Sequence, residues 1–151
     1  KHKHFCCSNI IYLNQNSASE QSSVVLKTTD FPLTNPFNHS SLIIYKSVIN
    51  SLNNYDEFYK YSQDTDLYFR LLNNGYKGEI LIDKLVVRRI SKNIIGLKKR
   101  RQQLSFFLIV QIRYFLSQLK VKRLALLVSI LRTGLRILFS QKLINKLKGA
   151  L

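Results

Sequence analysis

Two carboxylates that could carry out acid–base chemistry lie two residues apart in the stretch 62–72. Asp64 and Asp66 follow Ser62, which can cap a helix, and the pattern predicts a helix over 63–73 that ends before Gly75. Both acids then stand in the first turn, where the helix macrodipole stabilises negative charge, and a general base must be ionised at neutral pH. Acids in a first turn are also ordinary helix-stabilising residues, so the spacing alone leaves a catalytic and a structural interpretation open.

The positive charge of the chain is concentrated in its second half. The 151 residues contain 24 Lys and Arg against 8 Asp and Glu, which gives a formal net charge of +16. All eight acids lie at or before Asp83, whereas residues 84–151 carry 17 cations and no acid. This asymmetry predicts two parts, a mixed α/β part at 1–93 and a basic helical part at 94–151 that faces a polyanion.

The sequence predicts neither a membrane-spanning segment nor a signal peptide. The longest uninterrupted apolar run, 106–110, is far shorter than the roughly 18 residues that a spanning helix needs. The N-terminus lacks the apolar core of a signal peptide. The chain starts at Lys1 and contains no Met. We therefore expect a cytoplasmic piece of a longer protein that can lie peripherally on the inner face of the cell membrane.

The histidines and cysteines near the N-terminus do not predict a metal site. His2, His4, Cys6 and Cys7 lie within six residues, without the spacing of a zinc finger or ribbon. Adjacent cysteines rarely form a disulfide, and the chain has only two, which fits a reducing compartment. We expect a strand here and no metal ligands in this chain.

Short apolar runs and helical periodicity predict both strands and helices. Strands are expected at 10–13, 24–26, 77–82 and 85–90, and a buried strand at 41–45. A short helix at 46–52 should end at Asn53 and Asn54, which tolerate left-handed backbone. A linker at 91–96 precedes long helices at 104–119 and 121–139.

The helix predicted at 121–139 is amphipathic. One side carries the polar residues Arg123, Ser129, Arg132, Thr133, Arg136 and Ser140, and the other carries Leu124, Leu127, Val128, Leu131, Leu135 and Leu138. Such a helix suits the headgroup layer of an anionic membrane. The residues expected to meet a membrane or another polyanion are Lys98, Lys99, Arg100, Arg101, Lys120, Lys122, Arg123, Arg132 and Arg136. Alternatively, the apolar faces pack on the rest of the chain and the charges are only solvated.

Nucleic-acid binding is the competing class for a basic helical region. The aromatic residues of this region lie within apolar runs and do not form a stacking platform: Phe106, Phe107, Tyr114, Phe115 and Phe139. No helix-turn-helix, zinc or RNA-binding signature is present. We expect no nucleic acid as partner, and a basic protein that binds nucleic acid or a protein partner remains the alternative.

Five motifs occur in a fixed order along residues 35–89. They are N-P-F-N-H-S-S at 35–41, N-N-Y-D at 53–56, Q-D-T-D-L followed by R-L-L at 63–72, G-Y-K at 75–77 and L-V-V-R-R at 85–89. Together they resemble the C-terminal half of the catalytic domain of glycosyltransferase family 2 enzymes, which have the GT-A fold. The matching family patterns are N-x-x-x-H-x-S, G-G-Y-D, E-D-x-D-L-x-x-R-L, G-y-k and L-v-x-y-R. The expected fold is thus the second half of a Rossmann-like GT-A domain, followed by basic amphipathic α-helices.

The resemblance implies an inverting sugar transfer from a nucleotide-sugar to a hydroxyl of a saccharide or lipid-linked saccharide, in the synthesis of a surface polysaccharide. Asp64 matches the general base, and Asp66 matches the second acid, which positions the helix or the acceptor. Asn35 and His39 match positions near the acceptor pocket, although His39 could equally be structural. The roles implied for Arg70 and Arg89 are structural or phosphate-binding.

The sequence departs from the family pattern at three places. Gln63 replaces the usual Glu, Arg88 replaces a frequent Tyr, and Asn53-Asn54 replaces Gly-Gly, a conservative change for the backbone. The family's nucleotide-binding half, whose D-x-D acids hold a divalent Mg or Mn ion, would precede Lys1. We therefore expect the full-length enzyme to need a divalent cation whose ligands lie outside residues 1–151. Without the donor site, this piece alone should not catalyse transfer.

Overall fold

The computed structural model describes residues 3–14, 17–22, 31, 35–90, 97–116 and 123–139. These residues form a mixed α/β structure. In chain order its elements are β1 (Phe5–Asn14), β2 (Ser17–Ser22), a 3₁₀ turn (His39–Ser41), β3 (Ile43–Ile44), α1 (Lys46–Ser51), α2 (Gln63–Asn73), β4 (Gly78–Ile90), α3 (Leu97–Leu116) and α4 (Arg123–Leu138). The strand predicted at 10–13 lies within β1. The strand predicted at 24–26 and the linker predicted at 91–96 lie outside the described residues.

The sheet is mixed and is built around β1. Strand β4 runs parallel to β1 along its whole length, from the Phe5–Gly78 pair to the Asn14–Ile90 pair. The short strands β3 and β2 pair antiparallel with the beginning and the end of β1. At Gly78 the backbone approaches the Phe5 ring so closely that a Cβ atom would clash with it. Glycine is therefore needed where the two strands start.

Strand β4 corrects the prediction of two separate strands at 77–82 and 85–90. It is one strand, and its register against β1 shifts at Asn9, which pairs with Lys84 while the preceding Ser8 pairs with Leu81. The Asn9 side-chain amide donates to the Ile82 carbonyl at 3.0 Å. This bond satisfies a backbone acceptor at the irregularity, so the strand continues through residues that interrupt its apolar pattern.

The prediction of a buried strand at 41–45 is wrong in length and in burial. Only Ile43 and Ile44 are in a strand, and Ile43 is 69% exposed. The preceding 3₁₀ turn is fixed by Ser41, whose hydroxyl donates to the Asn38 carbonyl and accepts from the Ser8 amide at 2.8 Å. This side chain competes with strand pairing and leaves only two residues for β3.

The helix ends predicted at Asn53-Asn54 and at Gly75 are both present. Helix α1 ends before Asn53 and Asn54, which have φ of 58° and 59°. Helix α2 has the predicted bounds, and Gly75 follows its end at φ +80°. The Gly75 and Tyr76 amides donate to carbonyls of the last turn of α2, the Schellman arrangement.

The predicted capping role of Ser62 is wrong. Ser62 precedes α2 with left-handed backbone, at φ 65° and ψ 18°, and its side chain makes no capping hydrogen bond. A capping residue normally has extended backbone, which aims its side-chain oxygen at the first free amides of the helix. The left-handed turn at Ser62 removes that alignment.

One buried cluster joins the sheet, α2 and the two C-terminal helices. Leu67, Tyr68, Phe69 and Leu71 of α2 are almost completely buried. The same cluster includes Phe5 of β1, Val110 and Tyr114 of α3 and Leu126 of α4. Residues from 1–93 and 94–151 thus share a core.

Both long helices are present, although α3 begins at Leu97, well before the predicted start at 104, while α4 lies within the predicted 121–139. Helix α4 presents one apolar side to solvent. Leu126, Ser129 and Thr133 are its buried residues. Six of its apolar residues are exposed by 39% to 75%: Leu124, Leu127, Val128, Leu131, Leu135 and Leu138. Ala125, Ile130 and Ile137 are partly exposed, and Ile130 packs against the core. The alternative in which the apolar faces pack on the rest of the chain is therefore wrong for these six residues of α4, whereas it holds for Leu126 and Ile130 and for Val110 and Tyr114 of α3. None of the helices in the described ranges combines the length and apolarity needed to cross a bilayer.

Candidate active site

A cleft of about 490 Å³ opens where the start of α2 meets the first turns of α3. Asp64 and Thr65 line it from α2, Asn35 and Lys60 line it from the preceding segments, and Arg100 lines it from α3. The cleft therefore brings a carboxylate together with two cationic side chains and three carboxamides, those of Asn35, Gln63 and Gln103. We call it the Asp64 cleft.

Asp64 is held at the mouth of α2 by its neighbour. Its Oδ1 atom accepts a hydrogen bond of 2.8 Å from the Thr65 amide, and the Thr65 hydroxyl lies 3.5 Å from the same oxygen. The residue is half-buried. No described residue donates a hydrogen bond to Oδ2, so that oxygen can accept one from a molecule in the cleft.

Asp66 faces the opposite way, into the core. It is completely buried, and its Oδ2 atom accepts from Arg70 Nε at 2.8 Å. Its Oδ1 atom accepts from the Tyr114 hydroxyl at 3.0 Å. Arg70 also donates through Nη1 to the carbonyls of Leu52 and Asn54. The Asp66–Arg70 pair therefore ties the start of α2 to the turn after α1 and to α3.

Arg113 of α3 forms a second set of contacts, at the surface, that link α3 to the segment before α2. Its Nη1 atom lies 2.9 Å from Asp56 Oδ2 and 3.1 Å from the Tyr59 hydroxyl. The guanidinium also lies over the Tyr59 ring, 5.9 Å from the ring centroid. The hydrogen bond from Arg113 holds the pKa of Asp56 below its ordinary value. Both sets of contacts fix α3 relative to α2 and so fix the two walls of the Asp64 cleft.

His39 lies between two tyrosine hydroxyls. Its Nδ1 atom is 3.4 Å from the Tyr68 hydroxyl, and its Nε2 atom is 3.3 Å from the Tyr55 hydroxyl. Tyr68 is buried, and burial raises its pKa, as do the Cys7 thiol beside it and the charge of Asp64. Burial also raises the pKa of Tyr55, again with a contribution from Asp64. The described lining of the Asp64 cleft includes Asn35 but not His39.

The remaining cations predicted for the site or the surface are dispersed. Arg70 is occupied by Asp66, and the backbone of Arg89 pairs with Leu13 in the sheet, while its side chain lies outside the description. Lys99, Arg100 and Arg101 are exposed at the start of α3, and Arg132 and Arg136 are exposed on α4. Lys120 and Lys122, and the side chains of Lys98 and Arg123, lie outside the described residues.

Asp64 and Asp66 do not converge on a common point that could hold a metal ion, although the letters D-T-D match a metal-binding pattern. One carboxylate opens to the cleft, and the other is committed to Arg70 and Tyr114. Within the described ranges, no group of three or more His, Cys, Asp or Glu side chains is arranged to bind a metal. The two aspartates, as the structure places them, therefore do not fit a shared divalent-cation site.

The structure adds residues that sequence reasoning missed or assigned elsewhere. Lys60 and Arg100 line the Asp64 cleft. The sequence analysis did not single out Lys60, and it assigned Arg100 to the residues that meet a membrane or another polyanion. Arg113 and Tyr114 hold α3 on α2. The available signal was the acid-free composition of residues 84–151: the acids of the first part need partners, and most cations lie in the second.

Comparisons with protein-family models, with curated proteins and with solved structures gave no significant match to this chain.

Proposed function

We propose that the chain is the acceptor-side part of an inverting glycosyltransferase of family 2, with Asp64 as its general base and the GT-A fold as its scaffold. The observation that carries the proposal is the position of Asp64: a half-buried carboxylate at the start of α2 and in a polar cleft, with one oxygen that accepts no hydrogen bond from the described residues. The ordered motifs along residues 35–89 supply the reaction class.

The proposed step is a single displacement. An acceptor hydroxyl donates a hydrogen bond to Oδ2 of Asp64 and loses its proton to that oxygen as it attacks the anomeric carbon. The new bond joins the acceptor oxygen to the anomeric carbon. The bond from that carbon to the donor phosphate breaks, and the nucleoside diphosphate leaves with the electron pair. Attack opposite the leaving group inverts the anomeric configuration.

The other residues of the region serve this base in different ways. The Asp66–Arg70 pair fixes the first turn of α2, so that Asp64 keeps its direction. Asn35 can orient a sugar hydroxyl on the opposite wall. Lys60 and Arg100 supply positive charge for a phosphate-bearing substrate. His39 is a positioning residue, because both ring nitrogens face tyrosine hydroxyls.

The donor nucleotide and its divalent cation belong, in this proposal, to the family's preceding half. No cation ligand is assigned here, since Asp64 and Asp66 diverge, and the step above uses only the residues of this chain. The proposed location is the cytoplasmic side of the membrane, where an acceptor linked to a lipid would be presented.

Asp64→Asn tests the proposal in the full-length protein, assayed for transfer from labelled nucleotide-sugars to saccharide and lipid-linked acceptors. Loss of the proton acceptor should lower the transfer rate by about 10²–10⁴-fold while donor binding is retained. Asp83→Asn is the matched control, because it makes the same change at an exposed aspartate of β4 that does not line the cleft, and it should keep activity. A rate within a few-fold of wild type would remove Asp64 as the base.

The alternative of nucleic-acid binding gains no specific support from the described tail. Tyr114 is buried, and Phe106 and Phe115 pack partly against the core, so these rings are not available for base stacking. Tight binding of RNA or DNA that is insensitive to Asp64→Asn, with no transferase activity, would favour that alternative.

A further inference from the structure

Helix α4 carries an exposed apolar stripe along its described length. We use the term apolar stripe for six residues of this helix: Leu124, Leu127, Val128, Leu131, Leu135 and Leu138. Leu124 and Leu138, at its two ends, are 75% and 74% exposed. At 3.6 residues per turn, all six positions lie within about 60° of Leu124 on the helix circumference. One side of α4 is therefore continuously apolar and uncovered.

The orientation of the apolar stripe is fixed by the opposite side of the helix. Thr133 lies about 180° from Leu124, and it is buried together with Ser129 and Leu126. Gln111 of α3 donates a side-chain hydrogen bond to the Ser129 hydroxyl in this buried layer. The helix cannot turn its apolar stripe inward without breaking that bond and exposing Leu126.

Positive charge flanks the apolar stripe. Arg132 and Arg136 are both exposed and lie about 80° and 120° from Leu124, between the apolar stripe and the buried layer. No acid occurs after Asp83, and no described acid pairs with either arginine. A second copy of this chain would bring the same positive charge to the contact, whereas an anionic surface would neutralise it.

We propose that the apolar stripe of α4 docks on an anionic lipid surface. The helix lies in the plane of the headgroups with its leucines in the acyl boundary, and Arg132 and Arg136 contact lipid phosphates. The proposal depends on α4 alone and not on the transferase assignment. In this arrangement the apolar stripe inserts into the membrane, and Arg132 and Arg136 bind its negative charge.

The test is flotation of the chain with vesicles of phosphatidylglycerol and phosphatidylcholine, against phosphatidylcholine alone. The double variant Leu131→Gln, Leu135→Gln should lower the partition coefficient for anionic vesicles by at least about tenfold. The double variant Arg132→Gln, Arg136→Gln should lower it by about 25-fold, at about fivefold per arginine. High salt should weaken binding of the wild-type chain.

The matched control is Leu85→Gln, Val87→Gln, which replaces two comparably exposed apolar residues of β4. It should leave vesicle binding unchanged. Equal binding to neutral and anionic vesicles, or unchanged binding by the α4 variants, would overturn the proposal. So would dimerisation in sedimentation equilibrium that is lost in Leu131→Gln, Leu135→Gln without any vesicle binding, because a second copy would then cover the stripe.

Discussion

Helices α2 and α4 are both amphipathic, yet they bury very different shares of their apolar residues. Helix α2 turns Leu67 and Leu71 into the core and buries the charged Asp66 beside them. Helix α4 turns Leu126, Ser129 and Thr133 toward the protein and leaves its other leucines in solvent. The periodicity of a sequence determines which residues share a face, but it does not determine what that face meets.

The difference follows from the partners that each helix finds. Asp66 can be buried because Arg70 and Tyr114 donate to its two oxygens. Ser129 can be buried because Gln111 donates to it across the α3–α4 contact. In α2 most apolar residues join the core beside the buried polar group, whereas among the described residues of α4 only Leu126 and Ile130 do so. The first helix positions a candidate base, and the second presents an interaction surface.

The largest expected effect is on the buried pair of α2. Asp66→Asn leaves the Arg70 guanidinium without its carboxylate partner, and removing one member of a buried ion pair costs about 3–5 kcal/mol of unfolding free energy. Urea unfolding followed by circular dichroism measures the loss. Asp64→Asn, two residues away and half-buried, should cost less than about 1 kcal/mol. Equal losses would show that the two acids do not differ as the structure indicates.

The hydrogen bond between Gln111 and Ser129 should contribute less to the unfolding free energy than the Asp66–Arg70 pair, and apolar residues should be able to replace it. Ser129→Ala leaves the Gln111 amide buried without an acceptor, which should cost about 1–3 kcal/mol. The double variant Gln111→Leu, Ser129→Ala removes both polar groups and should recover most of that loss. A double-mutant cycle from urea unfolding gives the coupling. Additive losses would contradict a coupled buried pair.

The surface pair between Asp56 and Arg113 should make a small, pH-dependent contribution. Because the folded-state pKa of Asp56 is lowered, its stabilisation is present above the unfolded pKa and is lost as the pH falls through the folded value. The pair is largely exposed, so wild type should exceed Asp56→Asn by no more than about 1 kcal/mol at pH 6. When unfolding is measured down to pH 2, the unfolding free energies of wild type and Asp56→Asn should converge. A difference that stays constant with pH would contradict this.

The smallest effect is expected on the apolar stripe of α4. Leu135 is 54% exposed, so Leu135→Gln should change the unfolding free energy by less than about 0.5 kcal/mol. Thermal or urea unfolding checks this directly. A loss of 2 kcal/mol or more, the order expected for a core leucine, would mean that this face is covered within the folded chain.

Local sequence signals predicted the elements that depend on local chemistry. The bounds of α2, the left-handed Asn53-Asn54 and the glycine after α2 follow from helix periodicity and backbone preferences. The errors fall where distant residues decide the structure. Ser8 contacts Ser41 and shortens β3, and Asn9 contacts Ile82 and keeps β4 continuous, although 73 residues separate that pair.

The candidate site was predicted in part for the same reason. Asp64 could be singled out because its helix and its motif are local. That Arg100 faces the Asp64 cleft depends on how α3 docks on α2 through Asp66, Tyr114 and Arg113. The clamp of Tyr55 and Tyr68 around His39 also spans segments whose contact no local pattern encodes.

The sequence alone determined the charge asymmetry, the positions of the long helices, the spacing of the two aspartates and the two faces of α4. Only the tertiary structure decided that Asp64 opens to a cleft while Asp66 is buried, and that the apolar stripe of α4 points outward while Leu126 is buried. A face is an intrinsic property of a helix, because it follows from 3.6 residues per turn. Its environment is not, because burial depends on which distant groups can satisfy each polar atom that leaves water.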